Sequence, residues 1–193
     1  MKTFFVLSIM AFTCGLSAQD KPYYYTIPET PKAYTAATVA ARLVDGLGFR
    51  YFWATEGLTE KDLDFKPSDS ARTSYETLQH IEGLTSVLLN AVSKQPTVIS
   101  TEEEKLSFAE LRKKTLMNIQ SASEILKKPD ANLEEFDMIF KRPDRSRSFP
   151  FWNLVNGPIS DALWHVGQVV SFRRSSGNPL PEGVNVLTGK KTN

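Results

Sequence analysis

The chain is poor in the side chains that most often build metal and redox sites. It has 193 residues, with one cysteine and two histidines. Cys14 lies in an apolar N-terminal stretch that we expect to be removed, and the mature protein then has no cysteine. This excludes disulfides, a thiolate nucleophile and a cysteine-based zinc site. A site that needs imidazole must therefore use His80 or His165.

An excess of charge of either sign is also missing. Lys and Arg number 23 against 22 Asp and Glu, and loss of Lys2 with the N-terminal stretch makes the two signs equal. A neutral protein lacks the basic field that nucleic-acid binding requires, so we expect no nucleic-acid partner. Segment 141–148, "KRPDRSRS", is locally basic. We interpret it as a solvated loop, because Pro143 and Asp144 interrupt the patch; the alternative is a surface that attracts an anionic substrate.

The N-terminal apolar stretch is too short for a membrane-spanning helix, which needs about 20 apolar residues. It follows Lys2, runs from Phe4 to about Gly15, and precedes the small residues Ser17 and Ala18. This layout is typical of a secretory signal peptide over residues 1–18, cleaved after Ser17 or Ala18. We therefore expect a periplasmic or secreted protein with no stable membrane insertion after cleavage. The alternative is a buried N-terminal helix.

Lipid attachment at Cys14 is not expected. The preceding residues, "AFT", lack the leucine and the small residues usual before a lipid-modified cysteine. Residues 19–33 contain three prolines and predict an extended lead-in. Residues 34–180 form one helical domain in this interpretation, and residues 181–193 form an irregular tail with one short extended piece at most.

The first two helices are predicted from periodicity and capping. From Tyr34 the pattern is helical and ends near Gly57. The apolar stripe of this helix consists of Val39, Leu43, Leu47, Tyr51 and Ala54. The second helix opens with "TSYE", in which Thr73 caps the helix and Glu76 completes a capping box, and it ends before Pro96. Its apolar positions are Leu78, Ile81, Leu84, Leu88 and Ala91.

The last two helices follow the same rules. "STEEEKLSFAELRKKTLMNIQSASEILKKPD" has an acidic first turn and two lysines before Pro129, which complements the helix dipole. The last helix is predicted to start between Pro150 and Pro158 and to end at Ser176, with Gly177 as its C-terminal cap. Four amphipathic helices without convincing strands predict an all-α protein, most simply a four-helix bundle. The apolar stripe of the first helix could also serve a homodimer.

One face of the last helix carries polar groups that can bind a metal. Asp161, His165 and Gln168 lie within about 60° of one another around the helix axis. The adjacent stripe is apolar and comprises Ile159, Ala162, Val166 and Val169. If the second helix faces the last, His80 joins Asp161 and His165 in a set of two imidazoles and one carboxylate. That set suits a divalent first-row ion such as Zn, Ni, Mn or Fe.

Other interpretations of these residues remain open. Each histidine can be a hydrogen-bonded residue at the edge of the core, and Asp161 and His165 can be a simple intrahelical pair. No general base is identifiable, so the catalytic residues are unknown. Glu76, Glu82 and a metal-bound hydroxide are candidates for the base, and Glu76 is also a candidate fourth ligand.

These segments resemble the DinB/YfiT-like superfamily of metal-binding four-helix bundles. "TSYETLQHIEGL" is similar to the family's Ser-x-x-Glu-x-x-x-His segment. "DALWHVGQVVSFRRSSGNP" resembles its closing His-x-x-x-His-x-Gly-Gln helix, which basic residues and a Gly-Asn-Pro type end follow. "SFAELRKKT" is similar to the start of its third helix. The resemblance covers about residues 35–180.

The resemblance implies a metal triad of His80, Asp161 and His165. Asp161 stands where the commoner family residue is histidine, which lowers the charge of the site by one and favours harder ions. Gln168 is implied to support a ligand or to face the substrate, and Gly167 to allow a close helix approach. The family implies a metal-dependent hydrolase or a thiol-dependent transferase acting on an unknown small molecule. Export disfavours the thiol chemistry, and the alternative is a non-catalytic bundle that binds a metal or a small ligand.

Overall fold

The computed structural model describes residues 21–99 and 105–192, which are predominantly helical. A mostly helical structure is compatible with the predicted all-α class. The predicted signal peptide over residues 1–18 lies outside the described residues. Within the part of the chain that is described, no helix is both long enough and apolar enough to span a membrane.

The longest elements are four helices of 17 to 20 residues. They are α1 (Ala36–Thr55), α3 (Ser74–Val92), α4 (Phe108–Leu126) and α6 (Ser160–Ser176). Shorter helical elements are α2 (Glu60–Leu63), α5 (Phe151–Leu154), and 3-10 turns at Tyr23–Tyr25 and Leu133–Glu135. The connector between α1 and α3 is partly helical, because it contains α2. Thr59 and Asp62 form the capping box of this short helix.

The four long helices pack in a closed ring around one core. Both α1 and α3 contact α4 on one side and α6 on the other. The centre of the core is aliphatic and aromatic, and its fully buried members include Val44, Leu47, Leu78, Ile81, Ile119 and Leu154. Burial of one such side chain contributes about 1.5–3 kcal/mol. This ring places α3 beside α6, which is the arrangement that a joint site requires.

The predicted stripe of α1 is correct at one end and wrong at the other. Leu47, Tyr51 and Ala54 are buried, but Val39 and Leu43 are exposed. The buried face at the start of α1 consists instead of small residues, namely Ala37, Ala40 and Ala41. Alanines there allow close packing, so the larger Val39 and Leu43 point outward.

The caps of α3 and α4 are set by short local motifs. Thr73 and Glu76 form the predicted capping box, with Thr73 N donating to Glu76 Oε2 at 2.7 Å. Helix α4 begins later than its acidic segment predicted, because Ser107 and Glu110 form a second capping box. The segment "SFAE" at 107–110 therefore starts the helix.

The described residues contain five short strands that were not expected from the sequence. β1 (Thr97–Val98) pairs in parallel with β2 (Met138–Lys141), and β2 pairs antiparallel with β3 (Ser146–Phe149). The basic segment 141–148 is exposed, as expected, but it forms the tip of this hairpin rather than a free loop. The tail is not irregular either, since β4 (Val184–Asn185) pairs with β5 (Lys190–Lys191).

The lead-in is tied to the helices by a buried carboxylate. Asp45 is fully buried in α1, and its oxygens lie 2.7 Å from Lys127 Nζ, 2.6 Å from Ser123 Oγ and 3.3 Å from Tyr24 OH. Burial raises the pKa of Tyr24, and the charge of Asp45 raises it further. The Tyr24 ring lies where a side chain at Gly48 would project, so glycine is required there.

A buried arginine closes the end of α1. Arg173 Nη1 donates to the carbonyls of Trp53 at 2.9 Å and Ala54 at 3.0 Å. Its Nε and Nη2 donate to the backbone and side-chain oxygens of Asn178 at 2.7 and 3.2 Å. The chain reaches Asn178 through Gly177, whose φ of 98° ends α6 in the left-handed region. The basic end of the last helix is therefore a structural clamp.

Candidate metal centre

His80 is positioned by the start of α3. The capping box fixes the first turn at Ser74, and His80 follows two turns later on the side that faces α6. Ile81 beside it is fully buried in the core. His80 itself retains 32% of its side-chain exposure. The imidazole thus lies at the edge of the core, which is where a polar ligand is tolerated.

Asp161 follows an irregular turn in the last helix. The helix runs without interruption from Phe151 to Ser176, but residues Val155–Ile159 form a π turn that contains Pro158. Proline cannot donate the helical hydrogen bond, and the wider turn accommodates its ring. Ser160 Oγ donates to the Val155 carbonyl at 2.6 Å. The extra residue of a π turn rotates all later residues around the helix, and this sets the direction of Asp161.

The three predicted ligands lie together between α3 and α6. His80 Nε2 lies 3.1 Å from Asp161 Oδ2, and His165 Nε2 lies 3.3 Å from Asp161 Oδ1. The two imidazole rings are perpendicular, with centroids 4.6 Å apart. One ligand atom from each residue lies within 4.8 Å of the others. This group of side chains can hold a metal ion.

Gln168 orients one of the imidazoles. Gln168 Oε1 lies 2.7 Å from His165 Nδ1, and an amide oxygen only accepts hydrogen bonds. Nδ1 of His165 must therefore carry the proton in this pair, which leaves Nε2 free of a proton in the neutral ring. Histidine ligands typically make a hydrogen bond of this kind. The ring nitrogen that makes the hydrogen bond determines that the other ring nitrogen binds the metal.

The donor set fits a divalent ion. Ligand atoms about 2.1 Å from one ion lie roughly 3–3.4 Å apart, close to the separations of Asp161 from both imidazoles. The same contacts also satisfy a metal-free triad, in which each Nε2–H donates to the carboxylate. The arrangement of the three side chains therefore fits both a bound ion and a hydrogen-bonded triad.

A cavity of about 1230 Å³ opens beside the triad. His80 and Asp161 line it, together with residues from α3, the β2–β3 hairpin and the π turn. Glu76 and Glu82 line it as well. Glu76 is engaged in the capping box, and Glu82 accepts from Ser86 Oγ at 2.6 Å and lies 3.5 Å from Lys114 Nζ. Both candidate bases are thus near the triad and already have partners.

Two expectations about the last helix have opposite outcomes. The apolar stripe is buried as predicted, at Ile159, Ala162, Val166 and Val169. Gly167 does not allow a close helix approach, because it is exposed and a Cβ there would meet no atom within 4 Å.

Sequence reasoning also missed one wall of the cavity. It contains Asn153, Asn156, Phe140 and Phe149. The short apolar run Met138, Ile139 and Phe140, which lies between Asp137 and Lys141, is a strand signal that could have identified Phe140.

Comparisons with known proteins do not identify a family for this chain. Neither the protein-family models, nor the curated proteins, nor the solved structures give a match to the chain. The function must therefore be argued from the site.

Proposed function

We propose that this chain is an exported DinB-like four-helix bundle that binds a divalent first-row metal ion through His80, Asp161 and His165. The observation that carries the proposal is the convergence of two imidazole nitrogens on one carboxylate from two different helices. Asp161 and His165 share α6, while His80 comes from 81 residues earlier in the chain. Side chains that bind one metal ion are expected to come together from distant segments. Neither helix alone requires these three side chains to meet.

The reaction class that this site supports is hydrolysis or group transfer on a small molecule. A bound divalent cation would supply a Lewis acid able to acidify water or a substrate group. The protein's own contribution is to hold the three ligands, to fix the His165 tautomer through Gln168, and to offer the adjoining cavity. Asp161 adds one negative charge, which favours harder ions such as Mn²⁺. The apolar N-terminal stretch supports export, and a metal site needs no cytoplasmic thiol.

A non-catalytic binder is the second candidate. The two glutamates that line the cavity are already paired, since Glu76 caps α3 and Glu82 contacts Lys114 and Ser86. Among the described residues that line the cavity, neither glutamate is therefore dedicated to proton transfer. This observation favours a protein that holds a metal and a small ligand without turnover.

Metal binding is tested by titration calorimetry on the mature chain, stripped with chelator and then titrated with Zn²⁺, Mn²⁺, Ni²⁺ and Fe²⁺. We expect one ion per chain. Asp161→Ala and His165→Ala should each weaken binding by more than about 100-fold, since even outer partners of ligands contribute about 10- to 100-fold. Asp144→Ala, an exposed carboxylate of the hairpin, is the matched control and should bind normally. Equal affinities in all variants, or no uptake, would reject the proposal.

Turnover separates the two candidate functions. The metal-loaded protein is screened against ester, amide and thiol-transfer substrates, in parallel with Asp161→Asn and with chelator. An enzyme should show turnover that both treatments abolish. Binding of metal without turnover across the three classes supports the non-catalytic binder.

A further inference from the structure

The lining of the cavity beside the triad has a polar part and an apolar part. The polar part comprises His80, Asp161, the amides of Gln79, Asn153 and Asn156, and the charged side chains of Arg72, Glu76, Glu82 and Lys114. The apolar wall of the cavity continues along α3 and the hairpin, and comprises Leu84, Val87, Met138, Phe140 and Phe149. A cavity of this kind does not match a small, fully polar ligand, which would leave the apolar wall in contact with water.

The apolar wall is built by two regular elements. On α3, Leu84 and Val87 follow His80 at spacings of four and seven, so they share its face. A rise of about 1.5 Å per residue places Val87 roughly 10 Å beyond His80. On the hairpin, Met138 pairs with Phe149, and Met138 and Phe140 lie on the same side of β2. The rings of Phe140 and Phe149 have centroids 6.3 Å apart.

Gly83 keeps the middle of this cavity open. It lines the cavity between His80 and Val87, and a Cβ built on it would meet no atom within 4 Å. Glycine in the interior of a helix costs about 1 kcal/mol relative to alanine. Neither a turn nor close packing explains this glycine, because its backbone is helical and its Cβ direction is empty. The space that it leaves belongs to the cavity.

We infer that the ligand of this site is an amphipathic acyl or aryl compound. Its oxygen-bearing head lies at His80 and Asp161, and its apolar body extends along α3 past Gly83 to the wall formed with Phe140 and Phe149. This inference rests on the proposed metal site for the position of the head group. The position of the apolar body rests on the cavity alone.

The inference is tested with a series of hydroxamates, whose head group chelates divalent metals. The zinc-loaded protein is titrated with acetohydroxamate, butyrohydroxamate, hexanohydroxamate and octanohydroxamate. Affinity should rise about two- to fourfold for each methylene that enters the apolar part. An affinity that is independent of chain length would overturn the inference.

Two variants locate the apolar body. Gly83→Leu places a side chain in the open space, so it should remove the dependence on chain length while zinc binding is retained. Gly83→Ala is the matched control and should keep most of the dependence. Phe140→Ala shortens the apolar wall, so it should weaken the dependence of affinity on chain length. This variant tests the inference even if Gly83→Leu fails to fold. Unchanged chain-length dependence in both Gly83→Leu and Phe140→Ala would contradict the assignment.

A measurement without metal distinguishes failure of the proposed metal site from failure of the apolar site. Octanoate and acetate are compared by ligand-detected NMR on the chelator-treated protein and on Gly83→Leu. Octanoate binding that is stronger than acetate binding and is lost in Gly83→Leu supports the apolar site, even if zinc does not bind. Equal weak signals for both acids would reject the apolar site, whether or not the metal proposal holds.

Discussion

Replacing Arg173 by alanine should be among the most destabilising changes on α6. Arg173 is 2% exposed, and its guanidinium donates four hydrogen bonds, two to the carbonyls of Trp53 and Ala54 and two to Asn178. These carbonyls end α1 and have no later helical donor. The change leaves buried acceptors unpaired and removes a positive charge that interacts electrostatically with Asp62. Breaking a buried charged network of this kind costs about 3–5 kcal/mol.

The assay is urea denaturation followed by circular dichroism, with thermal unfolding as a second readout. A loss of about 3–5 kcal/mol corresponds to a Tm lower by roughly 6–20 °C for a chain of this size. Arg174→Ala is the matched control, because Arg174 is the exposed neighbour and should change stability by less than about 0.5 kcal/mol. Arg173→Lys keeps the charge but not the planar fork, and should fall between the two. If Arg173→Ala proved as stable as Arg174→Ala, the role of Arg173 as a structural clamp would be refuted.

Three further outcomes follow from the site and its supports. Gln168→Leu should weaken metal binding about 10- to 100-fold in titration calorimetry, because it removes the acceptor that orients His165. Asp161→His should shift preference from Mn²⁺ towards Ni²⁺ and Zn²⁺ in competition dialysis, because it removes one negative charge and adds an imidazole. Burial opposes ionisation of Asp62, but hydrogen bonds from Ser176, Asn178 and Thr59 outweigh it and hold the pKa of Asp62 well below its usual range. Ionised Asp62 therefore stabilises the fold above about pH 4 and loses this effect as pH falls, so acid denaturation of Asp62→Asn should show a shallower loss of stability below pH 4.

The helices that carry the ligands were predictable because their signals are local. The segment "TSYE" defines the start of α3 within four residues. The start of the helix then fixes the position of His80 around the helix axis. The apolar stripe of α6 fixes which side faces the core. Asp161 and His165 follow from the same periodicity. The resemblance to a metal-binding family added the expectation that α3 and α6 meet.

Features that depend on distant partners were not predictable from the pattern. β1 exists only because it pairs with β2, about 40 residues later, and two residues carry no strand signal of their own. The outward direction of Val39 and Leu43 depends on the alanines opposite them. The role of Arg173 depends on α1 carbonyls about 120 residues earlier. The role assigned to Gly167 was wrong because a glycine in a motif does not reveal what lies across from it.

The family relation, export and dimerisation stay predictions. A ring of four helices can carry many activities, so the fold leaves the family relation and the activity to be tested. Val39 and Leu43 supply an exposed apolar pair on α1 that a second copy could cover. Light scattering on the wild type and on Val39→Glu tests dimerisation directly.

X-ray absorption spectroscopy of the metal-loaded mature protein tests the central claim most directly. If His80, Asp161 and His165 bind the ion, the first shell should contain nitrogen and oxygen ligands, with outer-shell scattering from two imidazole rings. His165→Ala should reduce that imidazole scattering to one ring. A shell of oxygen alone, or an unchanged two-imidazole signal in His165→Ala, would contradict the proposed site.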